Sequence, residues 1–272
     1  MKLSNRCLDA AVVALPLALV LTASRPLVAQ TLWIKPTGNS LSIDALKPDL
    51  DGDANTNFLT SVWYGTLRYR LTPQVKLVAD ISVGNFGSDF VDSETAFGNP
   101  YLGVEFQSPT SSFFGEFGTR LPLVPDGNSG NFIGAVAELD RWEAHFEDVL
   151  SLFLIGNFFK EYPTGVYTRL RAGPSILVPT TDGPDTELFA VYGGLVGYAN
   201  NGFDVSGGIS GRAILSESNI DFGERTLHQA GIKVSYSTGR IRPSLQIRFP
   251  LDSDLSDITD FSYGIGVSME LP

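Results

Sequence analysis

Cysteine and histidine are almost absent from this 272-residue chain, which has one Cys and two His. So few thiols exclude a disulfide framework and a cysteine-ligated zinc site. We therefore predict no metal site and no cofactor. Positive charge is also scarce, because 19 Lys and Arg face 30 Asp and Glu for a net charge of −11. Phosphate binding needs a basic face, so nucleic acid is not expected as a partner.

Long apolar runs are missing except near the N-terminus. Lys2 and Arg6 precede an almost wholly apolar stretch at 10–23, which is followed by small residues before Gln30. This order is typical of a secretory signal peptide. A transmembrane anchor is the alternative, but Pro16 interrupts a run that is shorter than the ~20 residues a helical span needs. We predict a signal peptide at 1–29 and a single domain at 30–272.

Beyond residue 30 the dominant pattern is alternation of apolar and polar residues with a period of two. This pattern predicts strands with one apolar face and one polar face. High glycine, at 28 residues, and 11% aromatics also favour short strands joined by turns. The predicted strands are twelve and lie near 41–46, 63–71, 75–83, 101–107, 113–121, 150–160, 166–176, 187–199, 203–212, 229–236, 240–249 and 261–270.

The connections between these strands alternate between long and short. The predicted long connections are 47–58, 87–96, 124–148, 179–186, 217–225 and 250–260, and each is followed by a tight turn such as Thr72-Pro73-Gln74. Extracellular loops and periplasmic turns of outer-membrane barrels alternate in this way. We therefore predict an all-β fold: a single antiparallel, up-and-down transmembrane β-barrel of about twelve strands. A soluble barrel or sandwich is the alternative, with its apolar face inward.

The polar faces of the strands carry most of the basic residues. If these faces line a lumen, the predicted pore-lining residues are Arg68, Arg70, Lys76, Arg120, Arg169, Arg171, Arg212, Lys233, Arg240, Arg242, Arg248, Asp80, Glu105, Glu116, Asp204 and Glu270. The bases outnumber the acids, and rings of Arg and Lys favour anionic solutes. The alternative is that these charges fill the barrel as ion pairs. The long connections are acidic and include Glu138, Asp140 and Glu143, which we expect at the surface.

One amphipathic helix is predicted in the longest connection. Phe132, Val136, Leu139, Trp142 and Phe146 have helical spacing. Such a helix would cover the barrel mouth, fold into the lumen or lie against the membrane. A short extra hairpin is the alternative, since the same stretch also alternates.

No catalytic motif is present. The chain has no G-x-S-x-G, no P-loop and no H-E-x-x-H sequence. We predict that the protein is not an enzyme. The alternative is a lipid-modifying barrel enzyme, for which His228 with Ser216 or Ser218 is the candidate pair.

The segment Gly98-Asn99-Pro100-Tyr101-Leu102-Gly103 resembles a motif, G-[DN]-P-Y-L-G, of outer-membrane transporters grouped with the phenol-degradation MetA-pathway family. Leu121-Pro122 and Arg242-Pro243 are also similar to that family. Membership would imply an outer-membrane barrel that moves small compounds. We therefore expect a porin-like protein of a Gram-negative type of envelope, exported by its signal peptide and surrounded by outer-membrane lipids. It would act as a passive pore or transporter for a small-molecule solute, and a closed structural or adhesive barrel is a further alternative.

Overall fold

The structure is a computed structural model that describes residues 31–33, 38–50, 56, 59–88, 91–108, 110–124, 127–181, 185–217 and 221–272. The predicted signal peptide at 1–29 lies outside these residues. Thirteen strands form one antiparallel sheet: β1 (Asn39–Leu50), β2 (Ser61–Arg70), β3 (Val75–Ser88), β4 (Val91–Phe97), β5 (Tyr101–Gln107), β6 (Phe113–Arg120), β7 (Val149–Glu161), β8 (Val166–Pro179), β9 (Glu187–Asn200), β10 (Phe203–Ile214), β11 (Thr226–Tyr236), β12 (Ile241–Pro250) and β13 (Thr259–Leu271).

The sheet closes because the first strand pairs with the last. β1 pairs with β13 from Asn39–Leu271 to Leu50–Thr259, and the strands from β1 to β4 and from β5 to β13 pair consecutively along the chain. β4 and β5 together occupy one position in the barrel, since both pair with β3. The predicted twelve-stranded antiparallel barrel is therefore confirmed.

Most connections of two to five residues gather at one end of the barrel, which we call the short-turn end; the exceptions are the β3–β4 hairpin at the opposite end and the β4–β5 link within the wall. The longer connections gather at the opposite, long-loop end. One predicted long loop, 87–96, is wrong: β3 continues to Ser88, and all of 91–96 belongs to β4. Asp92, Ser93 and Glu94 have low strand propensity, which hid this hairpin in the sequence.

The barrel is apolar outside and polar inside. Large side chains on its outer surface are exposed, among them Ile81, Leu102, Leu170, Leu245 and Ile265. Their sequence neighbours on the inner face are buried and polar or charged, such as Asp80 and Arg169. This arrangement excludes a soluble barrel with an apolar core, and matches a barrel that is surrounded by lipid.

Four helical segments complete the described structure. α1 (Ser129–Ala137) and a 3₁₀ helix (Leu139–His145) lie between β6 and β7, a second 3₁₀ helix (Phe222–Arg225) precedes β11, and α2 (Ser253–Ser256) lies between β12 and β13. Within the described ranges, none of the helices is long and apolar enough to cross a membrane. The predicted helix in the longest connection is confirmed.

Candidate functional site

The segment Ser129–His145, which comprises α1 and the following 3₁₀ helix, is folded into the barrel and is called here the inserted segment. Asn128 caps α1, because its side-chain oxygen accepts a hydrogen bond from the Gly130 N–H at 2.9 Å. The helix lies directly against β3 at Gly84. A Cβ atom on Gly84 would be 2.1 Å from the Gly130 carbonyl oxygen, so only glycine permits this contact. Of the three arrangements that the sequence left open, the structure has the lumenal one.

Asn99 connects the inserted segment to the wall between β4 and β5. The residue is fully buried. Its side-chain nitrogen donates to the Phe146 carbonyl at 2.6 Å, and its side-chain oxygen accepts from the N–H groups of Leu123 and Val124. A Cβ on the preceding Gly98 would lie 2.4 Å from the Ala144 carbonyl. The Gly98-Asn99-Pro100 motif therefore interrupts a wall strand in order to hold both ends of the β6–β7 connection.

Arg212 of β10 holds the 3₁₀ helix from the opposite wall. Its guanidinium forms a bidentate ion pair with Glu143, with one contact at 2.8 Å from Nη2 to Oε2. The same group donates to the carbonyls of Leu139 at 2.7 Å and Asp140 at 3.0 Å. It also lies 5.0 Å from the Trp142 ring. A buried guanidinium with this many partners fixes both the position and the orientation of the helix.

Arg141 of the inserted segment contacts residues of β2 and β3 through its guanidinium group. Its Nε is 2.8 Å from Glu138 Oε2, and its Nη1 is 3.2 Å from Asp80 Oδ1. The guanidinium stacks 3.8 Å from the Tyr64 ring centre, a cation–π contact. Asp80 is shared, since its other oxygen pairs with Arg120 at 3.0 Å.

His145, at the end of the inserted segment, is a packing residue. Its ring lies against Gly134, where an added Cβ would be 2.1 Å from the imidazole. Burial lowers the pKa of His145 to about 3, with the neighbouring Arg120 acting in the same direction. The ring is therefore neutral at ordinary pH and contributes no charge to the lumen.

A second segment, Thr31–Trp33, reaches the same region and is called here the N-terminal segment. Arg169 Nη1 donates to the carbonyls of Thr31 and Leu32, each at 2.9 Å. The Leu32 N–H donates to Asp140 Oδ2 at 2.6 Å, and Arg171 pairs with the same oxygen at 3.1 Å. The two segments thus meet inside the barrel.

Toward the short-turn end, wall side chains pair with one another. Glu105 of β5 binds both Arg68 and Lys76, the latter at 3.1 Å. Glu116 lies directly opposite Glu105 on β6. It is fully buried, and in the described part of the chain neither of its carboxylate oxygens has a hydrogen-bond partner.

The structure buries eleven of the sixteen predicted pore-lining residues inside the barrel, namely Arg68, Lys76, Asp80, Glu105, Glu116, Arg120, Arg169, Arg171, Asp204, Arg212 and Arg248. Lys233 and Arg242 are partly buried, whereas Arg70, Arg240 and Glu270 are exposed near the short-turn end. That these residues line a conducting path stays a prediction.

The expected surface position of Glu138, Asp140 and Glu143 is wrong. All three are buried in the lumen, where they pair with Arg141, Arg171 and Arg212. The sequence analysis also missed Asp44, a buried β1 residue whose Oδ1 is 3.0 Å from Lys233 Nζ. Its alternation with Ile43 and Ala45 is the signal that could have identified it. The lumen is consequently less basic than the wall residues alone indicate.

His228 does not contact Ser216. Its Nε2 is 2.7 Å from the Tyr192 hydroxyl and its Nδ1 is 3.1 Å from Asp252, while Ser216 binds Glu187. Ser218 lies outside the described residues. Throughout the described ranges, no three His, Cys, Asp or Glu side chains are grouped so as to hold a metal ion.

No protein-family model and no curated protein sequence matches the chain. Solved structures do match its fold. The COG4313 outer membrane channel from Pseudomonas putida F1 is similar with a TM-score of 0.58 at 12% identity, over 89% of this chain and 99% of that one. The NanC porin is similar with a TM-score of 0.52 at 8% identity, over 85% and 100%.

LpxR from Salmonella typhimurium is also similar, with a TM-score of 0.51 at 12% identity, over 85% and 100%. At such low identities these likenesses establish the fold alone, which is that of outer-membrane barrels.

Proposed function

We propose that the protein is a passive outer-membrane channel for small solutes, exported by a signal peptide at 1–29, in which the inserted segment controls the opening. The observation that carries this proposal is that a segment of the chain, held by ion pairs to wall side chains, occupies much of the lumen. Eight strands enclose a space that side chains can fill, and twelve enclose more. In this barrel the extra space holds Ser129–His145.

The chemistry of the lumen supports a path for solutes. Buried ion pairs contribute little to net stability, and apolar packing of similar volume often stabilises a protein more. In a barrel with a purely structural role, apolar side chains packed in the lumen would give sufficient stability. The pairs between Arg212 and Glu143 and between Arg171 and Asp140 instead join two charged surfaces, each of which water can solvate after separation.

The resemblance of Gly98-Asn99-Pro100 to an outer-membrane transporter family is consistent with this function, because the motif positions the inserted segment. The enzyme alternative receives less support, since His228 contacts Tyr192 and Asp252 rather than Ser216. We therefore propose transport without catalysis.

Single-channel recording of the refolded protein in planar bilayers tests the proposal. We expect brief openings in the unaltered protein and a higher open probability in Arg212→Gln, because this change removes the bidentate pair with Glu143. Arg225→Gln, which removes a charge from the rim helix before β11, is the matched control and should behave as the unaltered protein. Absence of current in both the unaltered protein and Arg212→Gln, with the barrel folded, would contradict a channel.

A further inference from the structure

The barrel has a cavity at the short-turn end that neither segment fills, and we call it the vestibule. Its volume is about 80 Å³, which is room for roughly six water molecules. Arg240 and Glu270, both exposed, lie at its edge, so the vestibule opens toward the short-turn end. Leu32 and Trp33 of the N-terminal segment also line it.

One side of the vestibule is apolar and aromatic. Leu32, Trp33, Tyr167 and Leu195 form a buried cluster against which Phe159 packs. Trp33 is held in place by Arg248, whose guanidinium lies 3.9 Å from the indole centre. The indole Nε1 is buried and makes no hydrogen bond to any described residue.

The other side is hydroxylated and charged. It is formed by β10 to β13 and β1, whose inward residues here are mostly serines, including Ser42, Ser206, Ser235, Ser244 and Ser268. These small side chains leave space beside Arg242 and Lys233. Lys233 is paired with Asp44 at 3.0 Å.

Arg242 has the capacity to bind an anion. Its Nε donates to Ser237 Oγ at 2.8 Å, whereas its Nη1 is 3.8 Å from Asp204 Oδ2, beyond hydrogen-bond distance. Asp204 in turn accepts a hydrogen bond from the Tyr167 hydroxyl at 2.8 Å. A guanidinium has five N–H groups in a planar fork that matches a carboxylate. Most of these groups therefore remain for a solute.

The charges around the vestibule select one class of solute. Its lining contains four bases, Arg169, Lys233, Arg240 and Arg242, and three acids, Asp44, Asp204 and Glu270. The excess of one positive charge favours anions over cations, and a monoanion neutralises it. We infer that the vestibule binds a small monoanion with a ring-sized apolar body, of which an aromatic carboxylate is the simplest form. This inference rests on the proposed function, since such a site would lie on the solute path.

Isothermal titration of the refolded protein with sodium benzoate tests the inference, with benzyl alcohol and sodium acetate as the uncharged and ringless comparisons. We expect benzoate to bind and each comparison to bind at least about tenfold more weakly, because each lacks one of the two groups that the vestibule recognises. Arg242→Gln should weaken benzoate binding by about tenfold to a hundredfold, the usual effect of losing a charge-assisted hydrogen bond. Trp33→Leu should also weaken it.

Lys160→Gln is the matched control, because Lys160 is an exposed base at the same end of the barrel but not in the vestibule. It should leave benzoate binding within twofold. Equal losses in Lys160→Gln and Arg242→Gln would overturn the site in favour of general charge attraction, as would equal binding of benzoate and acetate. A conducting barrel that binds no benzoate overturns the vestibule site and leaves the channel, whereas binding without any conductance overturns the channel alone.

Discussion

The Leu32 N–H donates a hydrogen bond to Asp140 Oδ2 at 2.6 Å, although 108 positions separate the two residues in the chain. Leu32 belongs to the segment that precedes β1 at the short-turn end, and Asp140 belongs to the connection at the long-loop end. This hydrogen bond joins the two segments that occupy the lumen. Arg171 neutralises the Asp140 carboxylate at 3.1 Å, so the junction is also tied to the wall.

Replacement of Asp140 by Asn should loosen the inserted segment. The change leaves the buried Arg171 without its carboxylate, and breaking a buried pair typically costs about 3–5 kcal/mol. We expect trypsin to cleave after Arg141 in the folded Asp140→Asn barrel but not in the unaltered one, as followed by mass spectrometry. Asp254→Asn, on the exposed α2, is the control and should leave Arg141 protected. Cleavage after Arg141 in the unaltered protein would mean that the segment is not held inside.

Proteolysis of intact cells should report the orientation of the barrel. If the long-loop end faces outward, an endoproteinase that cleaves before aspartate should cut at Asp254 and Asp257, which are exposed. The bond before Asp140 should survive, because that residue is buried. Cleavage at an aspartate introduced at Gln74, in the β2–β3 turn, with Asp254 untouched would indicate the reverse orientation.

Asn99→Ala should destabilise the inserted segment where both ends of the β6–β7 connection meet the wall. The change removes the hydrogen bonds to Phe146, Leu123 and Val124, and each buried group left unsatisfied costs about 1–3 kcal/mol. We expect a lower midpoint of thermal unfolding and more frequent channel openings. Asn200→Ala, at an exposed asparagine at the end of β9, should change neither measurement. An unchanged midpoint in Asn99→Ala would show that these hydrogen bonds do not contribute to stability.

Two facing glutamates should respond in opposite ways to neutralisation. Glu105→Gln deprives both Arg68 and Lys76 of their buried partner, and we expect the free energy of unfolding to fall by about 3–5 kcal/mol. Glu116→Gln replaces a buried carboxyl group whose oxygens have no hydrogen-bond partner in the described part of the chain, so it breaks no such bond. It should leave the unfolding free energy unchanged or increase it, as measured by denaturant titration. An equal loss in both variants would contradict this assignment.

Ion selectivity should depend on the arginines of the short-turn end. Arg240→Gln with Arg242→Gln removes two positive charges beside the vestibule, so the reversal potential in a salt gradient should shift toward cation preference. The barrel should remain folded, since Arg240 is exposed and Arg242 is only partly buried. Arg169→Gln with Arg171→Gln should instead release the N-terminal segment and Asp140, and increase the size of the openings. Unchanged selectivity in the first double variant would contradict an anion-biased path.

Much of the barrel wall could be predicted from the sequence, because the alternation of apolar and polar residues is visible within each strand. Strand residues face alternate sides, so the apolar face of Leu102, Val104 and Phe106 places Glu105 inside without any knowledge of the partner strands. The order of long and short connections then predicts a closed, up-and-down barrel. The weak strand 41–46 shows the limit, since Asp44 follows the same rule but was overlooked.

The contents of the lumen could not be predicted in this way. The helical spacing from Phe132 to Phe146 indicates a helix, but its position depends on Asn99, Arg212 and Asp80, which are distant in sequence. The negative charge of Asp140 predicts a surface position. No neighbouring residue in the sequence indicates that its carboxylate pairs with Arg171 and accepts a hydrogen bond from the Leu32 N–H. The motif at Gly98-Asn99-Pro100 was visible as a resemblance, while its contact with the inserted segment was not.

The spread of partners around the inserted segment has a consequence for assembly. Its contacts extend from Tyr64 on β2 to Arg212 on β10 and Gln229 on β11, almost the full circumference. Contacts between residues so distant in sequence form late, because the intervening chain must first be ordered. We therefore expect the segment to reach its final position late, once β2, β10 and β11 are in place and β1 has paired with β13. A newly closed barrel would pass through a stage with a water-filled centre, and the docking of Ser129–His145 would be the step that ends it.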